Sequence, residues 1–160
     1  MATFQTRPLD ENDKEWALAL LKKEWAGPVM ITRGKVHDAS EYPGFIATEG
    51  GERVGLITYH IDRKECEITS MNSLAEGKGI GRALVDEVKK VSIANRCKRL
   101  FLVTTNDNTH ALKFWQKYGF SLIALHANIM EKYRRLKPEI PLIGNDGIPI
   151  RDEIELEMRL

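Results

Sequence analysis

The chain is poor in the features that mark specialised classes of protein. Its 160 residues include two cysteines, Cys66 and Cys97. That is too few for a disulfide framework, and both read as reduced thiols of a cytoplasmic protein. Neither sign of charge dominates. The 24 basic and 23 acidic residues leave a formal net charge of +1, which argues against a general nucleic-acid binder or a membrane-surface binder. No apolar run is long enough to span a bilayer. The opening Met1-Ala2-Thr3-Phe4-Gln5-Thr6-Arg7 lacks the apolar stretch of a signal peptide. No internal repeat or low-complexity segment interrupts the chain. His37, His60, His110 and His126 have no mutual ligand spacing, so no metal is expected. What is present is 42% hydrophobic residues, enough for the core of one globular domain spanning 1–160.

Hydrophobic period and turn chemistry divide the chain into elements. Thr3 to Arg7 reads as a short strand. A helix follows with Asp10 as N-cap, with Ala17, Leu20, Leu21 and Trp25 on one face and Gly27-Pro28 as its stop. Val29 to Tyr42 mixes two apolar positions with Arg33, Lys35, His37, Asp38 and Glu41, and reads as a surface loop near a pocket. Phe45–Thr48 and Val54–Ile61 are strands joined by Gly50-Gly51, and Asp62-Arg63-Lys64 turns the chain into a third strand, Cys66–Met71. Beyond this meander, a helix from Gly79 carries Ile80, Leu84, Val88 and Val91 on one face. Leu100–Thr104 is a continuous apolar run, as in a strand covered on both faces. Asn106-Asp107-Asn108 caps a helix that Gly119 ends, and Phe120–Leu125 returns as a strand. Ala127–Arg135 is a short helix. The irregular 127–152 region, rich in Pro and Gly after that helix, is a candidate lid or homodimer contact. Ile154, Leu156, Met158 and Leu160 alternate with charged residues, the pattern of a half-exposed final strand. The fold class is α/β (α+β), with a mixed, mostly antiparallel central sheet flanked by helices.

Glu76-Gly77-Lys78-Gly79-Ile80-Gly81-Arg82 is the most informative stretch. Glycines before a helix start expose backbone N–H groups that can cradle an anion. A dinucleotide fingerprint would need glycine where Arg82 stands, and a Walker A loop would need Gly-Lys-Ser/Thr at a longer spacing. Two readings remain open: a pyrophosphate loop of the acyl-CoA type, and a glycine turn that only permits tight strand–helix packing.

A second segment separates them. Asn108-Thr109-His110-Ala111-Leu112-Lys113-Phe114-Trp115-Gln116-Lys117-Tyr118-Gly119-Phe120 resembles the Asn-x-x-Ala-x-x-Phe-Tyr-x-x-x-Gly-Phe signature of the GNAT N-acetyltransferase family. Both motifs stand in that family's order and separation, and the element order over about 3–126 is similar too. The resemblance implies an acyl-CoA N-acyltransferase with acetyl-CoA as cosubstrate, no metal, and a primary amine of a small molecule or peptide as acceptor. It implies a pyrophosphate site on Gly77, Lys78, Gly79, Ile80, Gly81 and Arg82. The pantetheine arm would pair with the strand end at Met71, Asn72 and Ser73, where the Met71 N–H would polarise the thioester carbonyl. Asn108 would bond the pantetheine, and Phe114 and Trp115 would line its channel.

The chain departs from the family pattern at three places. Glu76 stands where Gln or Arg is usual and needs to point away or pair with Lys78 or Arg82. Asn72-Ser73-Leu74 replaces Val-x-Pro. Trp115 replaces the tyrosine that protonates the leaving thiolate, and an indole N–H is no usable acid. Tyr118, one turn on, is the substitute, although its spacing reads more readily as a core or rim aromatic. Glu65 and Glu67 are the candidate bases. With Thr69 they share strand parity with Met71, which would set all four on one side of the sheet. The alternative function is a CoA-binding or sensor module with weak or no turnover.

Overall fold

A computed structural model describes residues 3–160. The fold is mixed α/β, with nine strands and four α-helices among those residues. The chain divides into two compact units. The first holds residues up to Met30, His37–Leu100 and Leu160; the second holds Ile31–Val36 and Phe101–Arg159.

In the first unit, strands β1 (Gln5–Pro8), β4 (Gly44–Glu49), β5 (Glu52–Asp62) and β6 (Glu65–Ser73) lie in that order, each pair antiparallel. The Asp10 cap is present. Its Oδ1 accepts the Asn12 N–H at 2.8 Å, and Asp13 Oδ2 accepts the Asp10 N–H at 2.8 Å, a reciprocal capping box. After that turn, helix α1 (Lys14–Trp25) sets Ala17, Leu20 and Leu21 against Met30, Ala39, Ile46 and Leu56. Helix α2 (Ile80–Ala94) covers the other face with Ile80, Leu84, Val85 and Val88. It packs tightly over Gly55, where a Cβ would come within 2.8 Å of the Ile80 side chain. Glycine is needed there for space.

Asp13 holds the first unit's edge together. Its side chain is fully buried and receives Arg7 through Nη1 at 2.6 Å and Nη2 at 2.8 Å, and Arg53 through Nε at 2.8 Å. One carboxylate thus joins β1, the start of α1 and β5.

The 29–42 segment is not the loop its composition suggests. Strands β2 (Val29–Thr32) and β3 (Lys35–Asp38) pair as a hairpin, turning at Arg33 (φ 52°) and Gly34 (φ 77°). Two consecutive left-handed residues make the tight turn that strand twist favours. Arms of four residues are too short to display an alternation readable in sequence.

In the second unit, β7 (Arg99–Thr105, which begins in the first unit), β9 (Glu153–Arg159) and β8 (Ser121–His126) run side by side in that order. With them come α3 (Thr109–Tyr118) and α4 (Ile129–Leu136). The final strand corrects the simple alternation expected of it. Glu153 and Glu155 are buried, 2% and 7% exposed, while Ile154 is only half-buried. The hairpin tip accounts for this. Glu153 accepts the Arg33 N–H at 3.2 Å and the Tyr133 hydroxyl at 3.2 Å, and the Arg33 guanidinium lies 3.5 Å from Glu155. Carboxylates supplied with donors can be buried where a sequence pattern assigns them to solvent.

The irregular region after α4 is anchored. Buried Asp107 accepts the Asn145 N–H and its side-chain amide, both at 3.0 Å. Asn106 Oδ1 accepts the Arg151 and Asp152 N–H groups at 2.9 Å. Among the described residues, no helix is long and apolar enough to cross a membrane.

Arg7 above all, with Arg53, holds the Asp13 carboxyl well below the ordinary carboxylate range. A carboxyl depressed in the folded state stabilises the fold above its unfolded value, about pH 4, and this contribution is lost as pH falls further. Asp13→Asn is expected to cost about 3 kcal/mol in urea denaturation at pH 7. The deficit should shrink as the pH is lowered below about 4.

Candidate active site

Strand β6 carries the candidate acids and ends at the candidate acyl site. Its register with β5 sets Thr58 opposite Ser70 and Tyr59 opposite Ile68, so Thr69 is an extra residue in β6. This is a β-bulge. Buried hydroxyls fix it: Thr58 Oγ1 lies 2.7 Å from Thr69 Oγ1 and 2.6 Å from Ser70 Oγ. Two consecutive side chains therefore face the same way, which a regular strand forbids.

The bulge overturns the parity argument. Glu65, Glu67, Thr69, Ser70 and Asn72 share the face covered by α1 and the turn before β4. The Met71 side chain lies on the α2 face. Asn72 demonstrates the inversion, because its Oδ1 accepts the Trp25 indole N–H of α1 at 2.9 Å. The Asn72 side chain is thus engaged, while its backbone still lies at the strand end with Met71 and half-buried Ser73.

The two acids are not equivalent. Glu65 forms a short ion pair with the Arg99 guanidinium, so its carboxylate is already engaged. Glu67 is buried, at 8% exposure, among rings. His37 Nε2 lies 3.9 Å from Glu67 Oε2, and His37 Nδ1 lies 2.9 Å from the Tyr42 hydroxyl. The Tyr42 ring stacks on His60 at 4.6 Å, and His60 stands opposite Glu67 in the ladder. Burial, with the charges of Glu67 and Asp38, pushes the Tyr42 phenol up. Sequence reading treats His37 as a loop histidine. Only the hairpin places it over β6.

The glycine loop of the first unit is open. Gly77 (φ 77°) and Gly79 (φ 80°) need glycine for backbone conformation, and a Cβ at either would meet nothing within 4 Å. Gly79 is the N-cap of α2, and no side chain caps the first turn. Residues 76–79 and Arg82 are exposed, while Ile80 and Gly81 are buried. The first-turn N–H groups thus stand behind an exposed glycine turn, which suits an anion. Lys78 does not neutralise Glu76; its Nζ pairs with Glu49 Oε1 at 2.6 Å.

In the second unit, Asn108 is the N-cap of α3. Its Oδ1 accepts the Ala111 N–H at 3.3 Å, so this oxygen serves the helix before any ligand. Trp115 is 4% exposed and packed edge-on against Phe114 (4.9 Å) and Phe120 (5.1 Å). Trp115 thus belongs to an aromatic cluster. Tyr118 lies against Phe120 at 5.8 Å and Phe114 at 6.5 Å, within the same aromatic cluster.

The acetyltransferase (GNAT) family pattern matches residues 5–120. A Bacillus subtilis protein, the uncharacterized YdhI, is 45% identical over 148 residues, 92% of each chain. Among solved structures, an IAA acetyltransferase from Bacillus cereus is similar with a TM-score of 0.75 at 22% identity, over 98% of this chain and 99% of that one. A GNAT family acetyltransferase from Elizabethkingia anophelis, solved with acetyl-CoA bound, has a TM-score of 0.72 at 20% identity over 99% of both chains. At such identities the solved structures establish the fold, and the family pattern carries the classification. The chain belongs to the GNAT family of acetyltransferases.

Proposed function

We propose that this chain transfers an acetyl group from acetyl-CoA to a primary amine of a small molecule or peptide, by direct attack in a ternary complex and without a metal. The observation that carries the reading is a buried carboxylate, Glu67, two residues before a bulge in the strand whose end would receive the thioester. Family membership supports acetyl-CoA as donor, and the uncapped α2 start behind Gly77 and Gly79 supports a pyrophosphate cradle. The pantetheine arm would pair with the backbone of Met71, Asn72 and Ser73, and the Met71 N–H would polarise the carbonyl. Asn108, Phe114 and Trp115 remain candidate CoA contacts.

The amine nitrogen attacks the thioester carbon, the C–S bond breaks, and CoA leaves as a thiolate. The acceptor attacks as the neutral amine, and the one proton that its nitrogen loses in forming the amide passes to Glu67, directly or through one water. Glu65 is the weaker candidate because Arg99 already engages it. A thiol is acidic enough to leave as the thiolate without a strong acid, so Trp115 in place of tyrosine does not prevent turnover; Tyr118 is the candidate proton donor. Two free, buried thiols accord with a cytoplasmic setting. A CoA sensor without turnover is the second reading, favoured by the core packing of Trp115.

Acetyl-CoA at about 100 times its Kd is expected to raise Tm by on the order of 5–10 °C. An amine panel should then release CoA. No rise in Tm with acetyl-CoA or longer acyl-CoAs would refute the proposal, and binding without release from any amine would favour the sensor. Glu67→Gln should lower kcat about 100-fold, with the acetyl-CoA thermal shift unchanged.

A further inference from the structure

The hairpin delivers a histidine to the candidate base, and the sequence offers no reason for this. We infer that His37 is a positioning residue for Glu67: its imidazole, oriented by Tyr42, keeps an N–H directed at the Glu67 carboxylate and thereby sets the pH at which Glu67 accepts a proton. The inference rests on the reading of Glu67 as the base for the acceptor amine.

The Tyr42 hydroxyl lies 2.9 Å from His37 Nδ1 and is held there by ring stacking on His60 at 4.6 Å. Burial and neighbouring acids push the Tyr42 phenol up, so the hydroxyl keeps its proton. When the imidazole is neutral, the Glu67 carboxylate beside Nε2 favours the tautomer with its proton there, which leaves Nδ1 to accept the Tyr42 O–H. When the imidazole is charged, Nε2 is protonated as well. In both states an Nε2–H faces Glu67 Oε2, which lies 3.9 Å away, at ion-pair rather than hydrogen-bond separation. Side-chain exposures of 14% for His37 and 11% for Glu67 keep solvent from screening that contact.

Other titratable groups on this face are Glu65, paired with Arg99, His60 from β5, Tyr42 from the turn before β4, and Asp38 at the end of β3. Of these, Asp38 opposes the effect of His37 as a like charge to Glu67. The proton balance is simple: the attacking amine gives one proton to the Glu67 carboxylate, and His37 stabilises the carboxylate form electrostatically without taking that proton.

Removing His37 should therefore favour the protonated form of Glu67. The experiment is a titration of the Glu67 side-chain carboxyl carbon by NMR on the full chain, alongside the pH profile of kcat/KM. In His37→Ala, the Glu67 midpoint and the acidic limb of kcat/KM are both expected to rise by about half a pH unit. That is about a threefold loss of kcat/KM on the acidic side, with little change on the alkaline side. His37→Gln, which keeps an N–H donor without a titrating ring, should recover part of the shift. Tyr42→Phe, which keeps the stacking and loses the O–H, should give a smaller shift of the same sign.

A Glu67 midpoint unchanged in both His37 variants would overturn the inference, as would a profile that falls equally at every pH. His37→Gln serves as the test if His37→Ala does not fold. The failure of the underlying reading looks different: Glu67→Gln would keep full kcat while the carboxyl midpoint still responded to His37.

Discussion

The bulge at Thr69 is the constraint on which the site depends. A strand has a side-chain period of two, so one extra residue exchanges the faces of everything beyond it. Before the bulge, Glu67 lies beneath His37 and Tyr42; after it, the Met71 side chain turns toward α2 while Asn72 reaches Trp25. Thr58 makes the irregularity stable by offering one hydroxyl to two neighbours, Thr69 and Ser70. In an apolar interior those hydroxyls would be costly if unpaired, so the cluster holds the bulge at one register and denies it to the next. The candidate base and the candidate acyl site thus gain different surroundings while remaining four residues apart on one strand.

Buried acids recur in this chain, and their environments pull them in opposite directions. Asp13 has two arginines, and its carboxyl is drawn far below the usual range. Glu153 has an amide N–H and a tyrosine, and burial outweighs both, pushing its carboxyl up. Tyr133 responds in kind, pushed up to about 12 by burial beside Glu153. The first arrangement secures an edge of the first unit. The second secures the hairpin tip in the second unit. Glu67, with His37 Nε2 3.9 Å from its Oε2, is a third arrangement.

The two family departures with a direct chemical cost, Glu76 and Trp115, have local outcomes. Lys78 is committed to Glu49 and does not balance Glu76. Trp115 is absorbed into an aromatic cluster with Phe114 and Phe120. An anion cradle made of backbone amides does not depend on either residue for its shape, because Gly77 and Gly79 set the turn by conformation alone.

Elements with strong periodicity and distinct end signals were legible from the amino acids: the helices after Asp10, Gly79 and Asn108, the meander from Phe45 to Met71, and the family motifs at 76–82 and 108–120. Local chemistry determines these, since caps, glycine turns and helical spacing act within a few residues. Tertiary structure alone decided the hairpin at 29–38, whose arms are too short to show a period. It alone placed the bulge, because an extra residue is defined only against its partner strand. It alone buried Glu153 and Glu155 and brought His37 to Glu67, because a buried charge depends on donors drawn from distant parts of the chain. The sequence by itself thus determined the fold class and the family, and only the folded chain could decide which side chains lie beside each acid.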